Sequence, residues 1–580
     1  MLPATRSNYQ LWSTDPYFDE ATRRELLSIA NDPNDVEERF YKDLEFGTGG
    51  LRGLIGAGLN RMNVYTVAKA SEGFARYLLG EGEDFYKRGV VISYDSRLYS
   101  DLFAQVTAQV FATHGIPAYL SDELRPTPML SFAVRRFGAV GGVMVTASHN
   151  PAKYNGYKAY GEDGGQLPPE AADKVLAAIR SIDDIRTVRW IGLQEAESQG
   201  LVRRFGKEID EAYMAALKPL SIDPGAISRQ AGMKIVYTPL HGAGNKPVRR
   251  ILSELGFHEV VVVPEQEMPD SAFPTVAFPN PEERTALQMA IDLAGRENAD
   301  LVIATDPDGD RMGIAVRDED DSFSVLTGNQ IGLLLMEYVL SAKKAAGTLP
   351  PGSFAVTTIV STQLAEPVGE AFGVEVIRTL TGFKFIGEKI RDLDENGTGH
   401  FQFGFEESFG YLCGTEVRDK DAVVASMLFA EMAAVCRDTG TTIRGRLKSI
   451  FHRFGYAAED TVSITLEGKE GITRIAGAMS RLRSEKDQDL RGIPVLSIDD
   501  YGTLTRTVCS MQTTPIEGFT SSDVLRYTLA GLDWFCVRPS GTEPKLKIYF
   551  GCYDPDETAA RSRLASLSDS VVAHIRERLQ

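Results

Sequence analysis

Residues 301–313 read LVIATDPDGDRMG. The opening run, 301–304, is short and wholly apolar, as buried strands of α/β sheets are. Asp306, Asp308 and Asp310 follow it directly, alternating with a proline and a glycine. Mutually repelling carboxylates this close make sense around a hard divalent cation, which takes oxygen ligands. An EF-hand loop is excluded, because the position needing glycine holds Arg311 and the one needing glutamate holds Arg317. A Pro-Gly turn whose side chains cap local amides is the plainer alternative. Three carboxylates, a glycine and an arginine exceed what such a turn requires.

The same grammar recurs along the chain. Segments 89–94 (GVVISY), 142–145, 234–237 (KIVY), 260–263 (VVVV) and 354–360 (FAVTTIV) read as strands, and 101–114 and 281–296 as helices. This alternation predicts α/β domains with largely parallel or mixed sheets. Four apolar runs end in small and polar clusters: GGVMV in TASHNP, LVIAT in DPDGDRMG, FQF in GFEESFGY, and DWFCV in RPSGTEP. Ligands bind beyond the carboxyl ends of strands in open α/β sheets, so four such loops predict four domains around one cleft. Segments 221–232, 348–352 and 454–460 read as linkers.

Bulk composition narrows the function. At 580 residues the chain is several domains long, and 80 acidic against 62 basic residues give a formal charge of −18. Such a surface disfavours nucleic acid and anionic lipid. A phosphorylated metabolite is compatible only if positive charge is concentrated in one cleft. Five cysteines without C-x-x-C spacing argue against a disulfide framework or structural zinc, and fit a reducing compartment. The N-terminal residues lack a secretory h-region, and no apolar run is long enough to span a bilayer. A cytoplasmic location is the expectation.

The loops also carry candidate chemistry. Ser148 in TASHNP is a weak nucleophile without a base, a metal or prior modification. No G-x-S-x-G elbow supports a hydrolytic triad. A phosphate on Ser148 would offer oxygens to a cation held by the three aspartates. Alone, Ser148 and His149 are better read as turn and structural residues. In RPSGTEPKLKIYF, Arg538 offers a planar fork for phosphate, and Ser540, Thr542 and the amides around Gly541 complete a nest; a surface hairpin is the alternative. FGTGGLRG (46–53) is a weaker glycine-rich loop with Arg52 near its end. Glu406, Glu407 and Ser408 suit the hydroxyls of a sugar, or form a solvated acidic turn. Lys384, near Gly382, and Lys420 read individually as surface lysines.

Taken in order, TASHNP, DPDGDR, GFEESFGY and RPSGTEPK resemble the α-D-phosphohexomutase superfamily, over nearly the whole chain. FGTGGLRG and RPSGTEPKLKIY are most similar to the long-chain phosphoglucomutase/phosphopentomutase branch, which also holds glucose-1,6-bisphosphate synthase. The resemblance implies three related α/β domains with mixed sheets (1–205, 206–325, 326–453) and a smaller C-terminal α+β domain (454–580) around a central cleft. It implies that Ser148 is a phosphoserine and that Asp306, Asp308 and Asp310 hold Mg²⁺ together with its phosphate. Glu406 and Ser408 would grip sugar hydroxyls, and Arg538, Ser540, Gly541 and Thr542 the distal phosphate. Arg52, His149, Lys158, Arg311, Thr381, Gly382, Lys384 and Lys420 match further cleft positions, with Lys158 or His149 as general acid/base.

The implied activity interconverts sugar 1- and 6-phosphates, glucose first, through a bisphosphate, with glucose 1,6-bisphosphate as primer. Phosphomannomutase, phosphopentomutase or bisphosphate synthase is the alternative within the class; a phosphatase or a non-catalytic sugar-phosphate sensor lies outside it. Partners would be sugar phosphates, with neither nucleic acid nor membrane, and the chain a monomer or dimer.

Overall fold

The computed structural model describes residues 3–579 except 48–49, 467, 487–488, 509–511 and 541–544. Its sheets have six, five, four and seven strands. The first three share one unit: strand, helix, strand, helix, strand, loop, strand. In the first sheet the strands are Val90–Tyr94, Ala118–Ser121, Gly141–Val145 and Tyr154–Gly161; in the second, Lys234–Thr238, Glu259–Val262, Leu301–Thr305 and Met312–Arg317; in the third, Ser353–Thr358, Glu375–Thr379, His400–Glu406 and Gly410–Leu412. In each sheet the unit's first strand lies between its second and third, parallel to both, and the fourth returns antiparallel to the third. The expectation of three related mixed sheets holds.

This order decides where ligands go. The strands on either side of the unit's first strand are reached by crossovers in opposite directions, so the loops after the first and third strands flank a crevice. The third strand is buried along its whole length in the first two sheets, Gly141–Val145 and Leu301–Thr305. Its loop therefore leaves a rigid base. Helices Ser100–Thr113, Asn245–Leu255 and Ala365–Phe372 follow the first strands.

The C-terminal sheet is different, because every one of its strand pairs is antiparallel. Helices Gly468–Glu485 and Glu557–Arg578 cover one face through Met479, Leu482, Val571 and Ile575. The other face carries Trp534, Cys536 and Tyr549, which pack on Ile359, Val360 and Leu380 of the third sheet's unit. At the N-terminus, helices Pro3–Thr14, Glu20–Ser28 and Pro33–Phe40 enclose an aromatic cluster in which Trp12 stacks on Phe18 at 4.3 Å. Among the described residues no helix is long and apolar enough to cross a membrane.

Some boundaries read from sequence move. Helix 101–114 is observed as Ser100–Thr113, and 281–296 as Arg284–Glu297. Pro281 is held outside its helix against Gly313, where no Cβ would fit. The strand expected at 354–360 stops at Thr358, where the side chain turns to its neighbours Ser361 and Glu407.

Two of the three linkers, 221–232 and 348–352, are corrected; the third, 454–460, falls where the third unit gives way to the C-terminal sheet. Residues 221–232 contain helix Pro224–Arg229, with Ala226 and Ile227 buried, and buried Glu431 accepts bonds from Ser221, Ile222 and Asp223. Residues 348–352 are a turn inside the third unit, between helix Gly328–Ala345 and strand Ser353–Thr358. Most of 454–460 lies in strand Tyr456–Thr465, after the left-handed Gly455. Proline and glycine mark turns wherever they fall, within a domain as readily as between two.

Candidate active site

The loops after the third strands of the first two sheets meet. Ser148 Oγ donates to Asp306 Oδ2 at 2.9 Å, across 158 residues of sequence. Ser148 is 3 % exposed and has a φ of 52°, a left-handed conformation rarely taken by a residue with a Cβ. That backbone turns the hydroxyl out of the sheet toward the aspartates.

Asp306, Asp308 and Asp310 each present a carboxylate oxygen, all within 4.8 Å of one another, and all three residues are buried. Burial and the charges of Asp308 and Asp310 push the Asp306 carboxyl well above its usual range. Burial works the same way on Asp308, but the Lys158 ammonium, 2.7 Å from its Oδ2, wins and holds it below. The second oxygens, Oδ1 of Asp308 and of Asp310, are buried without a hydrogen-bond partner among the described residues. Buried carboxylate oxygens left without a hydrogen bond, even on paired side chains, carry a penalty. A hard divalent cation removes that penalty and takes oxygen donors, so the donor set fits one.

Neighbouring units fasten the aspartate loop. Thr127 donates its amide to Asp308 O and its hydroxyl to Asp308 Oδ2, both at 2.8 Å. Met312 N donates to Phe409 O at 3.1 Å, which ties this loop to the sugar-loop candidate of the third unit. Lys158 and Lys420 both reach Asp310 Oδ2, each at 3.2 Å. Burial disfavours both ammonium groups, yet the surrounding carboxylates raise both pKa values. Asp419 joins this network, accepting from Lys420, from Tyr160 at 2.9 Å and from Gln166 at 3.0 Å.

His149 Nδ1 lies 3.1 Å from Ser148 Oγ. Burial, then the charges of Arg311, Arg52, Arg97 and Lys547, depress its pKa well below the ordinary value. The imidazole is therefore neutral inside a cluster of cations. This is the local positive charge that an acidic protein needs for an anionic substrate. Arg311 is paired with Glu282, and Arg52 donates to Asn150 Oδ1 at 3.2 Å.

The remaining candidates are spread around this centre. Glu406 is buried at the end of its strand and Ser408 is half-buried in the loop beyond. Glu407 accepts from Thr358 and Ser361 at 3.1 and 3.3 Å, and burial with the nearby Glu406 charge pushes its carboxyl up to about 7. Thr381 and Gly382 precede helix Phe383–Glu395; Thr381 Oγ1 is shielded and unpartnered among the described residues. Burial, with a further push from Arg538, lowers the Lys384 pKa. Arg538 and Ser540 are half-buried at the end of strand Trp534–Pro539, and Ser540 N donates to Lys545 O at 2.7 Å. Gly541 and Thr542 lie outside the described residues.

Sequence reasoning missed several groups. Thr127, Glu282 and Asp419 matter only through tertiary approach and carried no local signal. Lys547 did carry one. It pairs with Arg538 across two antiparallel strands, so both side chains leave the same face of the sheet. Burial lowers its pKa, and charges from Glu282, Arg311, Glu407 and Arg538 reach it. Asp95 and Arg97, in the YDSR cluster after strand Val90–Tyr94, are a further strand-end group of the pattern already recognised elsewhere.

Comparison with known proteins agrees with this layout. Models described as phosphoglucomutase/phosphomannomutase alpha/beta/alpha domains I, II and III match residues 43–186, 211–319 and 327–454, and the C-terminal domain of that family matches 508–564. A phosphoglucomutase of Staphylococcus saprophyticus is 38% identical over 509 residues, covering 87% of this chain and 90% of the relative. One from Staphylococcus aureus is 37% identical over 533 residues, covering 91% and 94%. The open form of the Paramecium phosphoprotein pp63/parafusin, a phosphoglucomutase, has the same fold: TM-score 0.66, 16% identity, covering 93% of this chain and 95% of that one.

Proposed function

Because the chain belongs to the phosphoglucomutase/phosphomannomutase family, we propose that it interconverts glucose 1-phosphate and glucose 6-phosphate through a phosphorylated Ser148. The observation that carries this reading is the 2.9 Å contact between Ser148 Oγ and Asp306 inside a cluster of three buried carboxylates. A Ser-His-Asp triad has no need of such a cluster, whereas metal-assisted phosphoryl transfer does.

In this reading Asp306, Asp308 and Asp310 hold Mg²⁺, which when bound neutralises charge on the transferring phosphoryl group. Phosphorylated Ser148 gives its phosphoryl group to a free hydroxyl of the sugar monophosphate. The bisphosphate reorients, and its other phosphate returns to Ser148. Lys158, kept as an ammonium between Asp308 and Asp310, offsets charge and can donate a proton. His149, neutral beside Ser148 Oγ, is suited to accept one. Glu406 and Ser408 orient the sugar hydroxyls, and Thr381, Gly382 and Lys384 line the cleft opposite. Arg538, Ser540, Gly541 and Thr542 hold the phosphate that does not react, with Arg52, Arg311 and Lys420 supplying further positive charge. Glucose 1,6-bisphosphate primes Ser148, and the protein works in the cytoplasm.

The test is turnover of glucose-, mannose- and ribose-1-phosphate, each primed with glucose 1,6-bisphosphate. The glucose pair is expected to be fastest. Release of inorganic phosphate ahead of any isomer would make the protein a phosphatase.

A further inference from the structure

In all three repeated units, the loop after the first strand braces the loop after the third. In the second unit Ala243 N donates to Pro307 O at 2.8 Å, and in the third Thr358 and Ser361 donate to Glu407. In the first unit the brace is far heavier. The Arg97 guanidinium donates through Nη1 to the carbonyls of Pro151 and Tyr154, both at 3.0 Å, and through Nη2 to those of Ser148 and Asn150. One buried side chain thus collects four carbonyl oxygens from a seven-residue stretch.

Asp95 completes the brace from the other side. It accepts from Thr146 Oγ1 at 2.6 Å, from Ser100 Oγ at 2.9 Å and from Arg97 N at 3.0 Å. Thr146 Oγ1 in turn accepts the amide of Ser148 at 2.7 Å. The peptide entering Ser148 is therefore pinned through Thr146 and Asp95, and the peptide leaving it is pinned by Arg97. Ser148 is the residue between them that holds a φ of 52°. Backbone strain of this kind persists only where its surroundings over-determine it.

We infer that Arg97, with Asp95 and Thr146, is the positioning device of the nucleophile: it holds Ser148 in its left-handed conformation so that the hydroxyl, and any phosphate it carries, faces Asp306. The inference rests on the mutase reading and adds to it residues that touch neither sugar nor reacting atoms. Four convergent carbonyls require a planar, multi-donor cation. Lysine keeps the charge but presents a single ammonium that cannot match the guanidinium's fork. The ring of Phe273, from the second unit, lies over the Arg97 guanidinium with its centroid 5.0 Å away.

Arg97→Lys and Thr146→Val separate this role from simple structural support. A nucleophile shifted by about 1 Å loses roughly a hundredfold in rate. Both variants are expected to lower kcat by tenfold or more, with KM for glucose 1-phosphate within about threefold of wild type and the melting temperature monitored alongside. Because both pins serve one backbone conformation, the double variant should lose markedly less than the product of the two single losses. Thr146→Val is nearly isosteric, so it carries the test if Arg97→Lys does not fold. Folded variants with kcat within twofold of wild type, losses confined to KM, or strictly multiplicative losses would overturn the inference. Ser148→Ala, run in parallel, separates the two readings. Retained turnover there defeats the mutase mechanism itself, whereas lost turnover there with full activity in the pinned-loop variants defeats only the positioning role.

Discussion

The aspartate loop and the phosphate-loop candidate of the C-terminal sheet are built in opposite ways. Residues 306–310 are buried, and they are tied to the other two repeated units by Ser148, Thr127, Lys158, Phe409 and Lys420. Arg538 and Ser540 are half-buried, and the backbone bond described for Ser540 returns to its own hairpin, at Lys545. The C-terminal sheet docks through an apolar seam of Trp534, Cys536 and Tyr549 and enters from the third unit by one covalent crossing near Gly455. In the proposed reading, chemistry that must place a phosphoryl group within a fraction of an ångström is locked by many directional bonds. Recognition of a phosphate that must serve two orientations of the sugar rests, in the same reading, on a mostly apolar seam. Bonds such as Arg526 Nε to Ile359 O at 3.2 Å and Asn329 Nδ2 to Glu459 Oε2 at 2.7 Å cross it, and it tolerates more adjustment than the aspartate loop.

That contrast predicts different kinetic signatures on the two sides. Ser148→Ala should have the largest effect, removing at least about a thousandfold of kcat while the protein stays folded; activity near wild type would break the comparison at its strong end. Asp308→Asn removes a charge but not the shape of the loop. Its expected cost is on the order of a hundredfold in kcat, with chelation of divalent metal abolishing activity reversibly in the wild type. Full turnover in excess chelator would remove the metal from the account.

On the adjustable side, Arg538→Gln and Lys547→Met should act mainly on KM, each lowering kcat/KM by roughly tenfold to a hundredfold. A pure kcat effect from Lys547→Met would move that lysine to the locked side. The smallest effect concerns stability. The folded protein keeps a proton on Glu407 up to about pH 7, whereas the unfolded chain releases it in the ordinary glutamate range. The stability this contributes is full below that range and is lost as the pH rises through about 7. Glu407→Gln should flatten that decline by roughly 1–3 kcal/mol in unfolding free energy, and superimposable pH profiles for the two proteins would contradict it.

The strand-end loops were legible because each is a local pattern: an apolar run followed at once by polar residues of unusual density. Ser148 next to Asp306 was legible only as chemistry that needed both. Their contact is a product of how the first two sheets pack. Segments 221–232 and 348–352 mislead for the converse reason: Gly, Pro and Ser in 221–232 obey turn chemistry while Ala226 and Ile227 supply the buried contacts. Arg97 shows the limit most clearly. Its residue type and strand-end position were visible, but its four partners become carbonyls in one place only after the chain has turned at Ser148. Lys547 was hidden inside a strand whose alternation already marked it as sharing a face with Tyr549.

The most direct measurement is the mass of the peptide containing Ser148 after the protein is exposed to glucose 1,6-bisphosphate, and again after glucose 1-phosphate is added in the presence of metal. A phosphate gained on Ser148 and then discharged as glucose 1,6-bisphosphate appears is the predicted result. Sustained mutase turnover with Ser148 unmodified throughout would contradict it.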